Sequence, residues 1–162
     1  MVGAARSLQR AGQQRGFTYI ALLLAVAVQG AVLAATASVW HTAQKRERER
    51  ELLFVGEQFR SAIRAYAQTG PGTAGQLPAT LDDLLLDPRF PGTRRHLRKV
   101  FVDPMTWKAE WGLVRTPDGR GILGVYSLSP EKPLKTANFR PADRAWEGAN
   151  SYSEWKFVYK PQ

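Results

Sequence analysis

Few side chains of this sequence are of the types that do chemistry, and those few lie far apart. The 162 residues include no cysteine, which excludes disulfides, thiolate zinc sites and a cysteine nucleophile. A catalytic or zinc-binding role for His41 or His96 would need partner ligands that the sequence does not supply, so both are predicted to be surface or interfacial. The adjacent acids Asp82 and Asp83 fit a helix start, where the helix dipole favours carboxylates. We therefore predict that the protein is not an enzyme.

Basic residues outnumber acidic ones, with 23 Lys and Arg against 14 Asp and Glu. The densest basic patch comprises Arg94, Arg95, Arg98 and Lys99. Phosphate attraction alone is unspecific, and single-stranded nucleic acid also needs aromatic platforms, of which only Phe101 is near. We therefore interpret the patch as solvated or subunit-facing charge, and nucleic acid is not a predicted partner.

One uncharged apolar segment, residues 17–40, has Gln29 as its only strongly polar side chain. As a helix it would be about 36 Å long, enough to cross a hydrocarbon core of about 30 Å, so we predict a single membrane-spanning helix. A leader, residues 1–16, precedes it with three arginines and no acid. A secretory signal cleaved near Ala34–Ala37 is the alternative. The charge pattern favours a cytoplasmic amino end.

The helical pattern continues over residues 41–68. Apolar residues recur there at spacings of three and four, which predicts one buried face: Leu52, Val55, Phe59, Ala62, Ile63 and Tyr66. The charged residues that this pattern places away from that face are Arg48, Glu51, Glu57, Arg60 and Arg64. Thr69-Gly70-Pro71-Gly72 is a strong stop signal, so the predicted helix ends at Gln68.

The remaining sequence predicts a loop with a short helix over residues 69–90 and a β-sheet region over 100–162. Thr80 followed by Asp83 is a capping pattern. Residues 111–115 and 122–128 flank Thr116-Pro117-Asp118-Gly119 and predict a hairpin, and residues 155–159 predict a last strand. Residues 129–153 predict a long ordered loop. The predicted fold class is α+β, a long amino-terminal helix packed on a small antiparallel sheet.

Arg15-Gly16-Phe17-Thr18, opening directly into the apolar segment, resembles the prepilin cleavage motif of type IV pilins and type II secretion pseudopilins. The resemblance implies cleavage by prepilin peptidase between Gly16 and Phe17 and N-methylation of Phe17. It also implies that residues 17–40 first anchor the protein and then form the helical core of a fibre. Residues 97–104, which end in Asp103-Pro104, and residues 125–128 are similar to segments of major pseudopilins.

Two positions depart from the family pattern. The fifth mature residue, normally Glu, is Ala21, and the resemblance then implies a minor or tip subunit. The loop of residues 129–153, where major pseudopilins bind calcium, offers only Glu131, Asp143 and Glu147 beside several basic residues. Calcium needs about six or more oxygen ligands, several of them anionic. No cofactor is therefore predicted, with calcium in this loop as the alternative.

Gln29-Gly30 lies inside the apolar segment. Either these two residues are simply tolerated there, or they form a helix-packing contact and a point where the helix can locally unfold.

With the resemblance, the sequence predicts a type II secretion pseudopilin of the bacterial inner membrane with a periplasmic domain, residues 41–162. The implied partners are other pilin or pseudopilin subunits, prepilin peptidase, the inner-membrane assembly platform and membrane lipid. A minor type IV pilus subunit, serving adhesion, motility or DNA uptake, and a plain membrane-anchored binding domain are the alternatives.

Overall fold

The computed structural model describes residues 15–70 and 75–160, with the side chains of residues 15–17 and 32–39 excepted. Most of the leader, the stop residues Pro71 and Gly72, and the side chains of the alternative cleavage site at residues 34–37 lie outside this description. The chain divides into two compact units, Met1–Ala43 and Gln44–Gln162.

The main helix, α1, runs over Arg15–Gln68. Its end at Gln68 confirms the predicted end. Among the described residues, no helix combines the length and the apolar character needed to cross a membrane.

The second unit is built on the predicted apolar face of α1. All six residues of that face are buried, and they pack with residues of the sheet and of the later loops in one core. The ring of Phe59 lies 5.1 Å from that of Trp111 and 6.1 Å from that of Phe101. The helical periodicity therefore predicted the core face correctly.

Three antiparallel strands form the sheet, in the order β1-β2-β3. They are β1 (Gly112–Arg115), β2 (Ile122–Tyr126) and β3 (Phe157–Val158). In register, Leu113 faces Val125 and Val125 faces Phe157. Together with α1 these strands confirm the α+β class, and the β1–β2 hairpin was predicted correctly.

Three 3-10 helices occupy the connections within the described residues: Asp82–Leu84, Pro141–Trp146 and Tyr152–Glu154. The predicted cap of the first is present, because the Asp83 amide donates to Thr80 Oγ1 at 3.3 Å and the Thr80 amide donates to Asp83 Oδ2 at 3.0 Å. The predicted short helix is thus a single 3-10 turn.

Close contact between α1 and β3 depends on Gly56. A Cβ at this position would overlap the Phe157 ring. Phe157 is fully buried at the centre of the core. The one glycine in the second half of α1 therefore sits where the sheet approaches the helix most closely.

Candidate functional site: the apolar helix and the loop after the sheet

The residues that the sequence marks for processing and packing all lie on α1. Gly16 and Phe17 are helical in their backbone, and their side-chain surroundings lie outside the described part of the chain. Ala21, Gln29 and Gly30 are exposed. A Cβ at Gly30 would meet no atom within 4 Å, so the described structure leaves open space for a neighbour at this point.

Large apolar side chains are exposed on the part of α1 that belongs to the first compact unit, Met1–Ala43. The seven described between residues 19 and 28 are each at least half exposed: Tyr19, Ile20, Leu22, Leu23, Leu24, Val26 and Val28. They occupy seven of the ten positions from 19 to 28, so they surround the helix rather than line one face. Such a surface is stabilised when lipid or other helices cover it, by about 1.5–3 kcal/mol for each large side chain fully buried.

The loop after the sheet, residues 129–153, is held to α1 by Glu49. The carboxylate is 5% exposed, and its Oε1 accepts the amides of Leu134 at 2.6 Å and Lys135 at 3.2 Å. It also accepts the Tyr152 hydroxyl at 2.9 Å. Burial raises the pKa of Tyr152, and the Glu49 carboxylate adds to that rise. One buried acid therefore fixes two points of the loop.

A second attachment of the same loop is the ion pair of Arg60 with Asp143. The guanidinium donates to Asp143 Oδ1 at 2.6 Å, and the two side chains are 7% and 2% exposed. Arg140 contacts Asp143 Oδ2 at 2.9 Å and Glu57 at 3.0 Å, which closes a network of two cations and two anions. Arg60, predicted to lie away from the apolar face, is nevertheless buried, because the loop covers the side of α1 that carries it.

Two of the acids considered for calcium therefore already face cations. Asp143 is engaged by Arg60 and Arg140, and Glu131 pairs with Lys45 at 3.0 Å. Within the described ranges, no group of three or more His, Asp or Glu side chains is placed to hold a metal ion. The positive charge that balances the loop comes from arginine and lysine.

No family model, curated protein or solved structure matches the chain.

Residues 97–104 and residues 125–128, compared above with pseudopilin segments, contact each other through Asp103. This carboxylate is fully buried and accepts the Met105 amide at 2.8 Å, the Thr106 hydroxyl at 3.1 Å and the Ser127 hydroxyl at 2.6 Å. It thereby ties the turn at residues 103–107 to the end of β2. Trp107 in that turn has a φ of 59° and is 69% exposed.

The His96 side chain, predicted to be surface or interfacial, is buried against other residues of the same chain. It is 4% exposed, and Nε2 lies 2.9 Å from Asp87 Oδ2. Arg89 also contacts Asp87, at 2.7 Å, and lies over the Tyr66 ring at 3.6 Å. The hydrogen bond from Arg89 lowers the pKa of Asp87 most, and the hydrogen bond from His96 lowers it further. Burial raises the pKa, but the net result lies well below the usual range. The four residues form a structural cluster against the end of α1.

The basic patch at residues 94–99 keeps its four cations exposed. Arg94 lies 4.6 Å over the Phe90 ring and Lys99 lies 5.5 Å over the Phe101 ring. These rings are already covered by cations of the same chain. The prediction that nucleic acid is not a partner remains a prediction.

Sequence reasoning missed Glu49, although a signal for it exists. Glu49 lies three residues before Leu52, so it extends the apolar face of α1 by one turn. An acid on a buried helical face must find hydrogen-bond donors when it is desolvated. Its position therefore indicates a partner segment, while the identity of that segment depends on a contact 85 residues away.

Proposed function

We propose that the protein is a pilin-like structural subunit of a type II secretion pseudopilus. It is made with the leader of residues 1–16, cut by prepilin peptidase between Gly16 and Phe17, and methylated at Phe17. Residues 17–40 hold it in the bacterial inner membrane, and the domain after them lies in the periplasm. Its role is structural rather than catalytic: subunits assemble into a periplasmic fibre for protein export.

The observation that carries this proposal is the junction at Gly16-Phe17. An acid-free leader with three arginines ends there, and an uncharged run of 24 residues begins. Cleavage at the amino-terminal side of an apolar run leaves that run attached to the domain, whereas cleavage after it would release the domain. A retained apolar helix can serve first as an anchor and then as the core of a fibre.

Two features of the described residues support the proposal. The helix α1 continues from the junction to Gln68 without a break, and its second half is packed on a small antiparallel sheet. The apolar side chains that surround its first half need a covering, which lipid and then neighbouring helices would supply.

Ala21 gives the proposed subunit a specialised place in the fibre. An alanine cannot form a salt bridge with the terminal amine of a neighbouring subunit. The ion pair that would fix the axial position of one subunit against the next is therefore missing. A tip or minor position suits such a subunit. Restoring the acid with Ala21→Glu should raise its share among fibre subunits, measured by quantitative mass spectrometry of sheared fibres, and an unchanged share would contradict this placement.

Processing at Gly16 can be tested with a pair of leader variants. Gly16→Leu should leave the chain at its full length in the membrane fraction, because the peptidase requires the small residue before the cut. Gly12→Leu changes another leader glycine in the same way and should leave processing unchanged, as judged by gel mobility. Equal processing of the two variants would refute the proposed cleavage.

The same fractionation separates the alternatives. A plain membrane-anchored domain would remain at full length whatever residue stands at position 16. A secreted domain cut near residue 37 would leave the membrane fraction. A minor type IV pilus subunit would be processed at Gly16 and recovered in surface fibres rather than in periplasmic ones.

A further inference from the structure

A cavity of about 410 Å³ lies between α1 and the loop after the sheet. Its lining contains three basic residues, Arg46, Arg50 and Lys135, and two leucines, Leu53 and Leu134. The sixth lining residue, Glu49, is the buried acid that holds this part of the loop. We call these six residues the basic cavity.

The folded chain places the cations of the basic cavity together. Arg46, Arg50 and Leu53 lie at spacings of three and four and share one face of α1. Lys135 is brought opposite them because its amide donates to Glu49. The Glu49 Oε1 atom already accepts three hydrogen bonds from the loop, so the charge of that acid is engaged within the chain.

Two cations of the cavity, Arg46 and Arg50, are exposed to a ligand, while the half-buried Lys135 lies 5.0 Å over the Phe139 ring. Arg46 is exposed, and the structure gives it no ion pair among the described residues. Arg50 pairs with Glu47 at 3.2 Å, but both side chains are more than 70% exposed. Such surface pairs contribute little and open readily.

We propose that the basic cavity binds the phosphate of an anionic phospholipid headgroup. Arginine and lysine are the usual partners of phosphate oxygens. The exposed Leu134 and the half-buried Leu53 add apolar surface beside the cations, and this combination matches a headgroup with its glycerol backbone better than it matches free phosphate.

The lipid source rests on the proposed function, in which residues 17–40 span the membrane. Only five residues separate Trp40 from Arg46 along the sequence, about 20 Å of chain even when fully extended. A cavity so close to the end of the span lies within reach of the headgroups. Basic residues next to a membrane span are attracted to anionic lipid surfaces.

The proposal is tested with the full chain in non-ionic detergent micelles. Short-chain phosphatidylglycerol, short-chain phosphatidylcholine and inorganic phosphate are each titrated, and the amide NMR signals of Leu134 and Lys135 are followed. Phosphatidylglycerol should shift both signals to saturation, and phosphatidylcholine should not. Inorganic phosphate should shift them in the same direction with a weaker affinity. Equal affinities for phosphate and phosphatidylglycerol would make free phosphate the ligand and overturn the lipid assignment.

Charge variants locate the binding. Arg46→Gln with Lys135→Gln should weaken phosphatidylglycerol binding about thirtyfold, since each basic residue near an anionic surface contributes about a fivefold factor. The control, Arg94→Gln with Arg95→Gln, removes the same charge from the exposed patch that does not line the cavity, and it should change binding less than twofold. Equal losses in the two pairs, or no saturable shift in the unmodified chain, would overturn the proposal.

The lipid-binding experiment and the test of cleavage at Gly16 can fail independently of each other. A chain cut at Gly16 that fails to bind phosphatidylglycerol would refute the cavity and leave the proposed function standing. A chain that binds phosphatidylglycerol but is never cut at Gly16 would keep the cavity proposal and refute the pseudopilin assignment.

Discussion

The ion pair of Arg60 with Asp143 should be a main support of the second compact unit, Gln44–Gln162, and Arg60→Met tests it. The substitution keeps most of the aliphatic length of the side chain and removes the guanidinium. It leaves the Asp143 carboxylate 2% exposed, with the half-exposed Arg140 as its remaining cation. The variant therefore isolates the effect of an uncompensated buried charge.

The expected loss follows from the burial of the pair. Removing one partner of a buried ion pair typically costs about 3–5 kcal/mol, because the other charge stays desolvated. Arg140 lies 2.9 Å from the same carboxylate and offsets part of this loss, so we expect about 2–4 kcal/mol. For a domain of this size, such a loss lowers the unfolding midpoint by roughly 10 °C.

The assay is thermal or urea unfolding of the full chain in non-ionic micelles, followed by tryptophan fluorescence. Trp146 is a suitable reporter because its ring lies 5.8 Å from the Arg60 guanidinium. Arg64→Met is the matched control, since it removes the same charge from an exposed position of the same helix and should change stability by less than about 0.5 kcal/mol. Adding calcium should leave the midpoint unchanged.

Two results would refute this reasoning. Equal midpoints for Arg60→Met and Arg64→Met would show that the buried pair contributes no net stability. A rise of the midpoint with calcium would show that the loop binds a metal in addition to the arginines. The double variant Arg60→Met with Asp143→Leu should recover much of the loss, because it leaves no carboxylate at position 143.

Three further predictions follow from single contacts. Glu49→Ala should lower the free energy of unfolding by about 2–3 kcal/mol and speed hydrogen exchange of the loop amides. Glu49→Gln keeps an acceptor oxygen and should therefore lose less free energy of unfolding. Equal losses for the two variants would contradict the attachment of the loop through the Glu49 carboxylate. Gly56→Ala should be destabilising, because overlap with the Phe157 ring costs about 1–3 kcal/mol against a gain of at most about 1 kcal/mol in helix propensity. In a Phe157→Ala background, which lacks the overlapping ring atoms, the same change at position 56 should no longer lower the free energy of unfolding, and an equal loss in both backgrounds would contradict the overlap. The folded-state pKa of Asp87 is depressed, so this residue stabilises the fold above its unfolded pKa of about 3.9, and the effect is lost as pH falls through the folded value. Asp87→Asn should therefore reduce the loss of stability that accompanies acidification, measured as the free energy of unfolding against pH. An unchanged loss on acidification would count against the cluster with Arg89.

Local patterns predicted the parts of the fold that depend on local spacing. The buried face of α1 follows from apolar residues three and four apart, and the cap of the first 3-10 helix follows from Thr80 and Asp83, three residues apart. The β1–β2 hairpin follows from turn residues between two apolar runs. Each of these features is encoded within a few residues of where it forms.

The contacts that hold the loop to α1 could not be predicted in this way. Arg60 and Asp143 are 83 residues apart, and nothing local in the helix pattern distinguishes Arg60 from the exposed Arg64. The same reason applies to His96, whose burial depends on Asp87 and on the end of α1. Long-range pairing decides which charged side chains outside the apolar face of α1 become buried, and helical periodicity does not distinguish them.

The mature amino terminus of the membrane-bound chain tests the central claim most directly. Amino-terminal sequencing with intact mass measurement of the protein from its native host should give a chain that begins at an N-methylated Phe17. A start near residue 37 would make residues 17–40 part of a removed signal, and an intact Met1 would make them an ordinary anchor. Either of these two results would contradict the account of a cleaved and retained fibre helix.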